Sequence, residues 1–183
     1  MTSDLEKPFG RSYWVIPGKF LAGAYPGSKD HEEALPKITA LVECGIRFIV
    51  NLMEEGERNS SGEQFVPYED ILASVSSKLG VKIHLRRMPI RDLHVPSRHH
   101  MVEILNMIDG AIEDGLPVYV HCWGGVGRTG TVVGCYLVRH GLATRDDVLE
   151  RIAVLRRDEA TAYRPSPETW DQRVMVQTWL PGQ

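Results

Sequence analysis

The segment from residue 117 to residue 140 constrains the fold of this chain more than any other. It opens with Pro117–His121 (PVYVH), a short apolar run of the kind that forms a buried strand. A glycine-rich turn follows, and after it Thr129–His140 is an apolar stretch of helical length that ends at Gly141. The order strand, glycine-rich loop, helix predicts an α/β fold with this loop at the end of a strand.

The rest of the chain alternates between strand and helix patterns. The other predicted strands are Tyr13–Ile16, Lys19–Ala22, Ile46–Leu52 and Val81–Arg86. The other predicted helices are Asp30–Cys44, Tyr68–Leu79, one capped by Ser97, one opened by Thr144 with Asp147, and one signalled by Ser166-Pro167-Glu168 that runs to about Leu180. This alternation predicts a central, mostly parallel sheet of about four to five strands flanked by helices. We expect a single domain over residues 1–183, with residues 1–12 flexible.

Composition excludes several classes of function. The net charge of −3 over 183 residues gives no basic field for nucleic acid, so an anionic ligand needs a local site. Three cysteines are too few for a disulfide framework, and no apolar stretch is long enough to span a membrane. The first residues lack the apolar core of a secretory signal, so we expect a cytoplasmic location. The sequence does not address the oligomeric state.

The glycine-rich loop has the chemistry of an anion cradle with a nucleophile in it. Glycines let successive backbone N–H groups converge on one point, and the following helix adds its unpaired N–H groups. Cys122 would lie at the floor, where a helix N-terminus and the guanidinium of Arg128 favour its thiolate form. The planar fork of Arg128 can hold two phosphate oxygens. The hydroxyl of Thr129 could donate to the cysteine sulfur.

This loop resembles the signature loop of the protein tyrosine phosphatase superfamily, His-Cys-x-x-Gly-x-x-Arg-Ser/Thr-Gly. The fixed positions are matched by His121, Cys122, Gly125, Arg128, Thr129 and Gly130. The resemblance implies phosphate-ester hydrolysis through a phosphocysteine, without a cofactor or a metal. It also implies that substrate is bound by Trp123, Gly124, Gly125, Val126, Gly127 and Arg128. The chain length and the order of elements are similar to the dual-specificity branch.

A general acid is expected upstream of the cysteine. The resemblance implies an aspartate on a loop, and Asp92 lies after the fourth predicted strand in a segment bounded by Pro89 and Pro96. His94 is the second candidate for this role. Glu54 and Glu57, in another predicted loop, stay open as alternatives.

Two residues are expected to support the reacting groups from behind. His121 precedes the nucleophile directly in the signature. Gln172 lies near the start of the last predicted helix, in a segment that is similar to the one supplying a water-orienting glutamine in tyrosine-specific relatives. The catalytic assignment itself comprises Cys122, Arg128, Asp92 and Thr129.

These residues define the functional hypotheses. The first is a phosphatase for phosphotyrosine, and also for phosphoserine and phosphothreonine, of proteins; a small phosphate ester would serve equally as substrate. The second is a phosphoinositide or inositol phosphate phosphatase, which the loop disfavours because Arg128 is its only cation. A non-catalytic phosphate-binding module predicts a damaged cysteine, arginine or acid, and all three are intact. The ending Arg128-Thr129-Gly130 disfavours a sulfurtransferase.

Some features are assigned no role in the chemistry. Arg86-Arg87 and Arg156-Arg157 are interpreted as solvated pairs, although either could border the site. Cys135 lies in an apolar helix and is predicted to be core. Cys44 is either core or a partner for redox protection of Cys122.

Overall fold

Five strands form one sheet in the order β1-β2-β5-β3-β4 in the computed structural model, which describes residues 6–183. The strands are β1 (Ser12–Ile16), β2 (Phe20–Gly23), β3 (Phe48–Asn51), β4 (His84–Arg87) and β5 (Val118–His121). The helices are α1 (His31–Glu43), α2 (Glu69–Leu79), α3 (Arg98–Glu113), α4 (Arg128–Arg139), α5 (Val148–Arg156) and α6 (Trp170–Gln177).

Strand pairing confirms the predicted sheet. β1 is antiparallel to β2 across a turn in which Gly18 takes a left-handed φ of 71°, a conformation that glycine adopts without steric cost. β2, β5, β3 and β4 run parallel to one another. A mostly parallel sheet of five strands flanked by helices is therefore confirmed.

The sheet separates two apolar layers because successive side chains of a strand point to opposite faces. Leu21, Ile49 and Tyr119 face α1 and α2. Their chain neighbours on the same strands face α3 to α6. All four residues of β5 are buried, and each fully buried aliphatic side chain there contributes about 1.5–3 kcal/mol to folding.

The direction of the parallel strands positions the functional residues. β3, β4 and β5 all end at the same edge of the sheet, so the loops that follow them lie side by side. These loops carry Glu57, Asp92 and Cys122 respectively. In open α/β sheets this carboxyl edge is where ligands bind.

The bounds of several elements differ from the predictions, most clearly those of β4 and of the last helix. β4 begins at His84 rather than Val81, because Val81 still belongs to the turn that ends α2: its N–H donates to the carbonyl of Ser76 at 3.1 Å. The last helix begins after Thr169, not at the Ser166-Pro167-Glu168 signal, and ends at Gln177 rather than Leu180. The helix begins after Thr169 because Thr169 forms a reciprocal capping box with Gln172.

The other predicted caps are present. Ser97 caps α3 by accepting from the N–H of His100 at 3.1 Å. Thr144 and Asp147 exchange the two reciprocal bonds of a capping box, although regular helix begins only at Val148.

The expectation of a flexible segment over residues 1–12 is wrong for its last part. Ser12 is fully buried at the start of β1, and Phe9 packs edge-on against Tyr119 with ring centroids 6.1 Å apart. Residues 1–5 lie outside the described residues. Within residues 6–183 no helix is long and apolar enough to cross a membrane.

Candidate active site

The sulfur of Cys122 lies at the floor of the loop between β5 and α4. The residue is only 3% exposed. The backbone N–H of Gly125 donates to Sγ at 3.3 Å. The hydroxyl oxygen of Thr129 lies 3.1 Å from Sγ and 3.3 Å from the carbonyl of Gly23, so its one proton can go to either. Both donors are thus placed to bind the sulfur of the candidate nucleophile.

Glycines of the signature let the loop pack closely against its surroundings. Gly125 has a φ of 71°, and a Cβ on it would lie 2.6 Å from the carbonyl carbon of Gly23. A Cβ on Gly130 would overlap Oγ of Ser166, whose hydroxyl donates to the carbonyl of Val126 at 2.7 Å. Side chains at these two positions would force the loop away from its supports.

Arg128, the first residue of α4, connects the three loops at the carboxyl edge. Its Nη1 and Nη2 donate to the two carboxylate oxygens of Glu57 at 2.7 and 2.8 Å. Nη1 also donates to the carbonyl of Ile90 at 3.1 Å, and Nη2 lies 2.9 Å from Oδ1 of Asp92. Burial alone would lower the pKa of Arg128, but the hydrogen bonds and charge of Glu57 outweigh it and raise the pKa. The guanidinium is therefore charged and held in a fixed plane.

The Nε donor of the Arg128 guanidinium is available to a ligand. Its Nε is buried and has no hydrogen-bond partner among residues 6–183. A buried N–H without an acceptor costs about 1–3 kcal/mol. An oxyanion bound in the loop would remove this cost, so the chemistry of the donor set fits a phosphate group.

Asp92 is the acid candidate that the structure brings to Arg128. Its loop is held before Asp92 by Ile90, whose N–H donates to the carbonyl of Leu52 at 3.0 Å. After Asp92, the side chain of Gln172 donates through Nε2 to the carbonyl of His94 at 3.2 Å. Between them Leu93 takes a φ of 62°, which is strained for a residue with a Cβ. The loop therefore presents the Asp92 carboxylate in a defined place.

The rival acids lie elsewhere or are otherwise engaged. His94 turns its ring back to the carbonyl of Asp92, at 2.7 Å from Nδ1, and does not line the cavity at Cys122. Glu54 borders a different cavity. Glu57 does reach the site, but both of its oxygens are bonded to Arg128. Sequence reasoning treated Glu57 only as a possible proton donor; the structure makes it the residue that orients Arg128.

His121 supports the loop in a neutral state. Burial lowers the pKa of His121 to about 3. Nδ1 of the neutral imidazole lies 3.2 Å from the carbonyl of Cys122, which can only accept, so the proton is on Nδ1. Nε2 then accepts from the hydroxyl of Tyr68, 2.7 Å away, which stays protonated because burial raises the pKa of Tyr68. This series of hydrogen bonds, from Tyr68 through His121 to the carbonyl of Cys122, fixes the start of the loop.

The buried imidazole of His121 makes stability depend on pH. Between pH 6.5 and about 3 the unfolded chain binds a proton at His121 that the folded chain does not. The free energy of unfolding should therefore fall by up to about 1.4 kcal/mol per pH unit as the pH drops through this range. In His121→Gln this contribution should vanish, which urea unfolding at pH 7 and pH 4.5 would measure. The exposed His99→Gln is the control, and an unchanged slope in His121→Gln would contradict the assignment.

Gln172 reaches the loop but its amide is already in use. The side chain is fully buried, and a Cβ on Gly127 would lie 3.0 Å from its Oε1. Oε1 accepts from the N–H groups of Glu168 and Thr169, each at 3.1 Å. The side chain thus ties α6 to the loops of Cys122 and Asp92. Orientation of water by Gln172 stays a prediction.

A cavity of about 670 Å³ opens above the sulfur. Of the predicted substrate-binding residues, Trp123, Gly124, Gly127 and Arg128 line it. Gly125 and Val126 are buried and shape the loop from within. The wall also includes residues that the sequence did not indicate, which are Arg11, Arg58, Asn59, Ser60, Leu93, Thr161, Tyr163, Arg164 and Glu168. The cavity is thus richer in cations than the loop alone.

The interpretation of Arg156-Arg157 as a solvated pair is half wrong. Arg157 is exposed, but Arg156 is 2% exposed and forms an ion pair with Glu159, Nη2 to Oε2, at 2.9 Å. Arg87 likewise is not free in solvent, since its Nη1 donates to the carbonyl of Met53 at 3.0 Å. A spacing pattern cannot separate such residues from solvated ones, because helix α5 ends at Arg156 and the partners come from the following turn.

Known proteins are similar to this chain in sequence and in fold. The family described as "Polymorphic toxin system, DSP-PTPase phosphatase" matches residues 23–142. Protein tyrosine phosphatase domain-containing protein 1 of Danio rerio is 28% identical over 74% of this chain and 19% of its own length. Phosphatidylglycerophosphate phosphatase PTPMT2 of Arabidopsis thaliana is 31% identical over 74% of this chain and 51% of its own. The chain thus spans from about a fifth to half of these relatives.

A solved structure, that of Tk-PTP in the active form, shares the fold with a TM-score of 0.66 and 22% sequence identity, covering 92% of this chain and 95% of that one. The matched family segment contains β3, β4, β5 and α4, and with them Glu57, Asp92 and the whole loop from Cys122 to Arg128. The chain therefore belongs to the DSP-PTPase phosphatases, the dual-specificity branch of the protein tyrosine phosphatase superfamily.

Proposed function

We propose that this phosphatase hydrolyses phosphate monoesters through a phosphocysteine on Cys122, with phosphotyrosine of proteins as its main substrate and phosphoserine and phosphothreonine as further ones. The observation that carries the proposal is Arg128, whose guanidinium lies 2.9 Å from Asp92 and is aligned by Glu57 in the loop that holds the sulfur. Nucleophile, phosphate fork and acid all line the same cavity, which supports the proposal.

The first half-reaction transfers the phosphoryl group to sulfur. The thiolate of Cys122 attacks phosphorus, a P–S bond forms, and the P–O bond to the leaving group breaks. Arg128 and the loop N–H groups hold the phosphate oxygens as charge shifts among them. Asp92 delivers its proton to the departing oxygen.

The second half-reaction restores the enzyme. Asp92, now a carboxylate, takes a proton from water as the water oxygen attacks phosphorus. The P–S bond breaks, inorganic phosphate forms and the electron pair returns to the sulfur of Cys122. The hydroxyl of Thr129, 3.1 Å from Sγ, can donate to the sulfur as its charge returns.

Features of the cavity mouth support an aromatic phosphoester. Trp123 and the exposed Tyr163 both line the cavity, and the ring of Trp123 also packs against Phe65 with centroids 5.5 Å apart. Aromatic walls favour a flat ring between them.

A phosphoinositide or inositol phosphate is the second candidate substrate. Arg11, Arg58 and Arg164 supply the positive charge that the loop itself lacks. The Arabidopsis relative is named for a lipid phosphate, phosphatidylglycerophosphate.

The test is hydrolysis by the purified protein in the presence of a metal chelator. We expect turnover of a phosphotyrosyl peptide, and a mass increase of one phosphoryl group on the peptide containing Cys122 after acid quench. Phosphoseryl peptides and inositol phosphates assayed in parallel rank the alternatives. Activity that depends on added divalent metal, or turnover without label on Cys122, would sink the proposal.

Replacement of Asp92 by asparagine tests the acid. The amide keeps the size of the side chain but carries no proton to give, so kcat for an aryl phosphate should fall on the order of a hundredfold. His94→Gln is the matched control and should keep the wild-type kcat. A wild-type kcat in Asp92→Asn would move the acid role to another residue.

A further inference from the structure

We propose that Glu168 orients the water molecule that hydrolyses the phosphocysteine in the second half-reaction. The inference rests on the proposed function, because it takes a phosphoryl group on Cys122 as the intermediate. Glu168 is not among the residues predicted for the site, and its role begins only after the phosphoryl group has moved to sulfur.

The carboxylate of Glu168 lies beside the signature loop, in the wall of the cavity that holds the sulfur of Cys122. A Cβ on Gly127 would lie 3.3 Å from Oε2 of Glu168. Gly127 directly precedes Arg128, the residue that would hold the phosphate, and Asp92 lines the same cavity. Oε2 of Glu168 is therefore next to the loop in which the phosphocysteine would form.

The two oxygens of this carboxylate have different surroundings. Oε1 accepts from Nη2 of Arg164, which anchors the side chain. Oε2 has no hydrogen-bond partner within residues 6–183, so it can accept a bond from a molecule in the cavity. The charge of Arg164 also offsets the repulsion between the carboxylate of Glu168 and a phosphoryl group in the loop.

Both partners of this ion pair have a fixed backbone. The N–H of Glu168 donates to Oε1 of Gln172 at 3.1 Å, and its carbonyl accepts from Nη2 of Arg173 at 3.3 Å. The carbonyl of Arg164 accepts at 2.9 Å from Nη1 of Arg156, which is buried. A side chain that is already held in this way loses little conformational entropy when it binds a water molecule.

A hydrogen-bond acceptor suits an attacking water better than a donor does. The water attacks phosphorus with an oxygen lone pair and has two protons to place. Asp92 takes one of them, and Oε2 of Glu168 can accept a hydrogen bond from the other. Gln172, for which the resemblance implies this role, has its Oε1 engaged by two N–H groups. Its Nε2 can only donate, and a donor would compete for the lone pair.

No proton is transferred to Glu168 in this step. The water oxygen bonds to phosphorus, and the P–S bond breaks with its electron pair going to the sulfur of Cys122. One water proton goes to Asp92, and the other stays on the new oxygen of inorganic phosphate. The contribution of Glu168 is the orientation of the water, so its loss should slow hydrolysis of the phosphocysteine and leave its formation unchanged.

Pre-steady-state kinetics of Glu168→Ala with an aryl phosphate test this role. Alanine keeps both backbone bonds of residue 168, so the fold should persist. Hydrolysis of the phosphocysteine should slow on the order of tenfold. The burst of phenol release should then grow toward one equivalent per enzyme, and label on Cys122 should accumulate after acid quench. The ratio kcat/KM reports only the first half-reaction and should stay within about threefold of the wild type.

Transfer of the phosphoryl group to methanol gives a second readout, which a merely structural role would not change. Methanol has a single hydroxyl proton, which Asp92 takes, so Glu168 can orient water but not this alcohol. In Glu168→Ala the ratio of methyl phosphate to inorganic phosphate should therefore rise on the order of tenfold. Glu168→Gln should show a smaller rise, because its amide oxygen is still an acceptor.

Asp171→Ala is the matched control, since Asp171 is an exposed carboxylate in the first turn of α6 that does not line the cavity. It should keep the wild-type product ratio. An unchanged ratio in Glu168→Ala, or a parallel loss of kcat and kcat/KM, overturns the role of Glu168, while label on Cys122 of the wild type leaves the proposed function standing. If the wild type never carries this label, the proposed function fails and the role of Glu168 fails with it.

Discussion

Replacing Cys122 with serine is expected to reduce phosphatase turnover on the order of 10⁴-fold or more while leaving the fold intact. A serine hydroxyl stays protonated at neutral pH and needs a base to attack phosphorus. The neighbouring imidazole cannot supply one. His121 is neutral, but its two nitrogens are directed to Tyr68 and to the carbonyl of Cys122 rather than to the sulfur. An alcohol in this loop is therefore inert.

Binding should survive this substitution. The N–H of Gly125 and the hydroxyl of Thr129 can donate to a serine oxygen as they do to sulfur. Arg128 and Glu57 are untouched. Calorimetric titration of Cys122→Ser with a phosphotyrosyl peptide should give an affinity equal to or tighter than the KM of the wild type, since a neutral hydroxyl repels the phosphate dianion less than a thiolate does.

Cys44→Ser is the matched control for the nucleophile. Cys44 is partly buried, and its thiol donates to the carbonyl of Leu41 at 3.2 Å, a bond that serine can keep. Its activity should equal that of the wild type. Residual turnover above about one hundredth in Cys122→Ser, or an equal loss in Cys44→Ser, would contradict a nucleophilic role for Cys122.

The residues contributed by one continuous segment were predictable because local sequence determines their geometry. Cys122, Arg128 and Thr129 belong to a single strand–loop–helix unit, and glycines at 125 and 130 report the close approaches that the loop requires. Asp92 was identified through its resemblance to an acid loop and its place after a predicted strand. Parallel strand direction then brings that loop to Arg128.

The residues that act across elements were not predictable in this way. Glu57 lies in a polar loop that also contains Glu54, Glu55 and Glu63, and no spacing distinguishes the one that reaches Arg128. Its position after β3, at the edge where β5 also ends, was the available signal. The position of Arg164 depends on its hydrogen bond with the buried Arg156. A run of charged residues at the end of a helix does not indicate which of them is buried. The loop itself holds only Arg128, and the further cations of the cavity, Arg11, Arg58 and Arg164, come from other segments.

Replacing Arg128 with lysine is the second change with a large expected effect. An ammonium group is a single point of charge and cannot at once bind both oxygens of Glu57, the carbonyl of Ile90 and a phosphate oxygen. Because the fork binds most tightly as charge redistributes in the transition state, kcat should fall along with kcat/KM, by on the order of 10³-fold. Steady-state kinetics with an aryl phosphate measure both.

Glu57→Gln tests the orientation of the Arg128 guanidinium separately from the guanidinium itself. The amide retains the shape and one acceptor for Arg128 but removes the carboxylate charge, so the guanidinium is less firmly oriented yet still present. Its kcat should fall far less than that of Arg128→Lys, on the order of tenfold, because the bonds to phosphate remain. The opposite ranking, with Glu57→Gln the more damaging, would mean that Glu57 itself acts on the substrate. If Arg128→Lys stayed within tenfold of the wild type, the phosphate would be held by the loop N–H groups alone. The 2.7 Å and 2.8 Å bonds to Glu57 would then serve the fold and not the reaction.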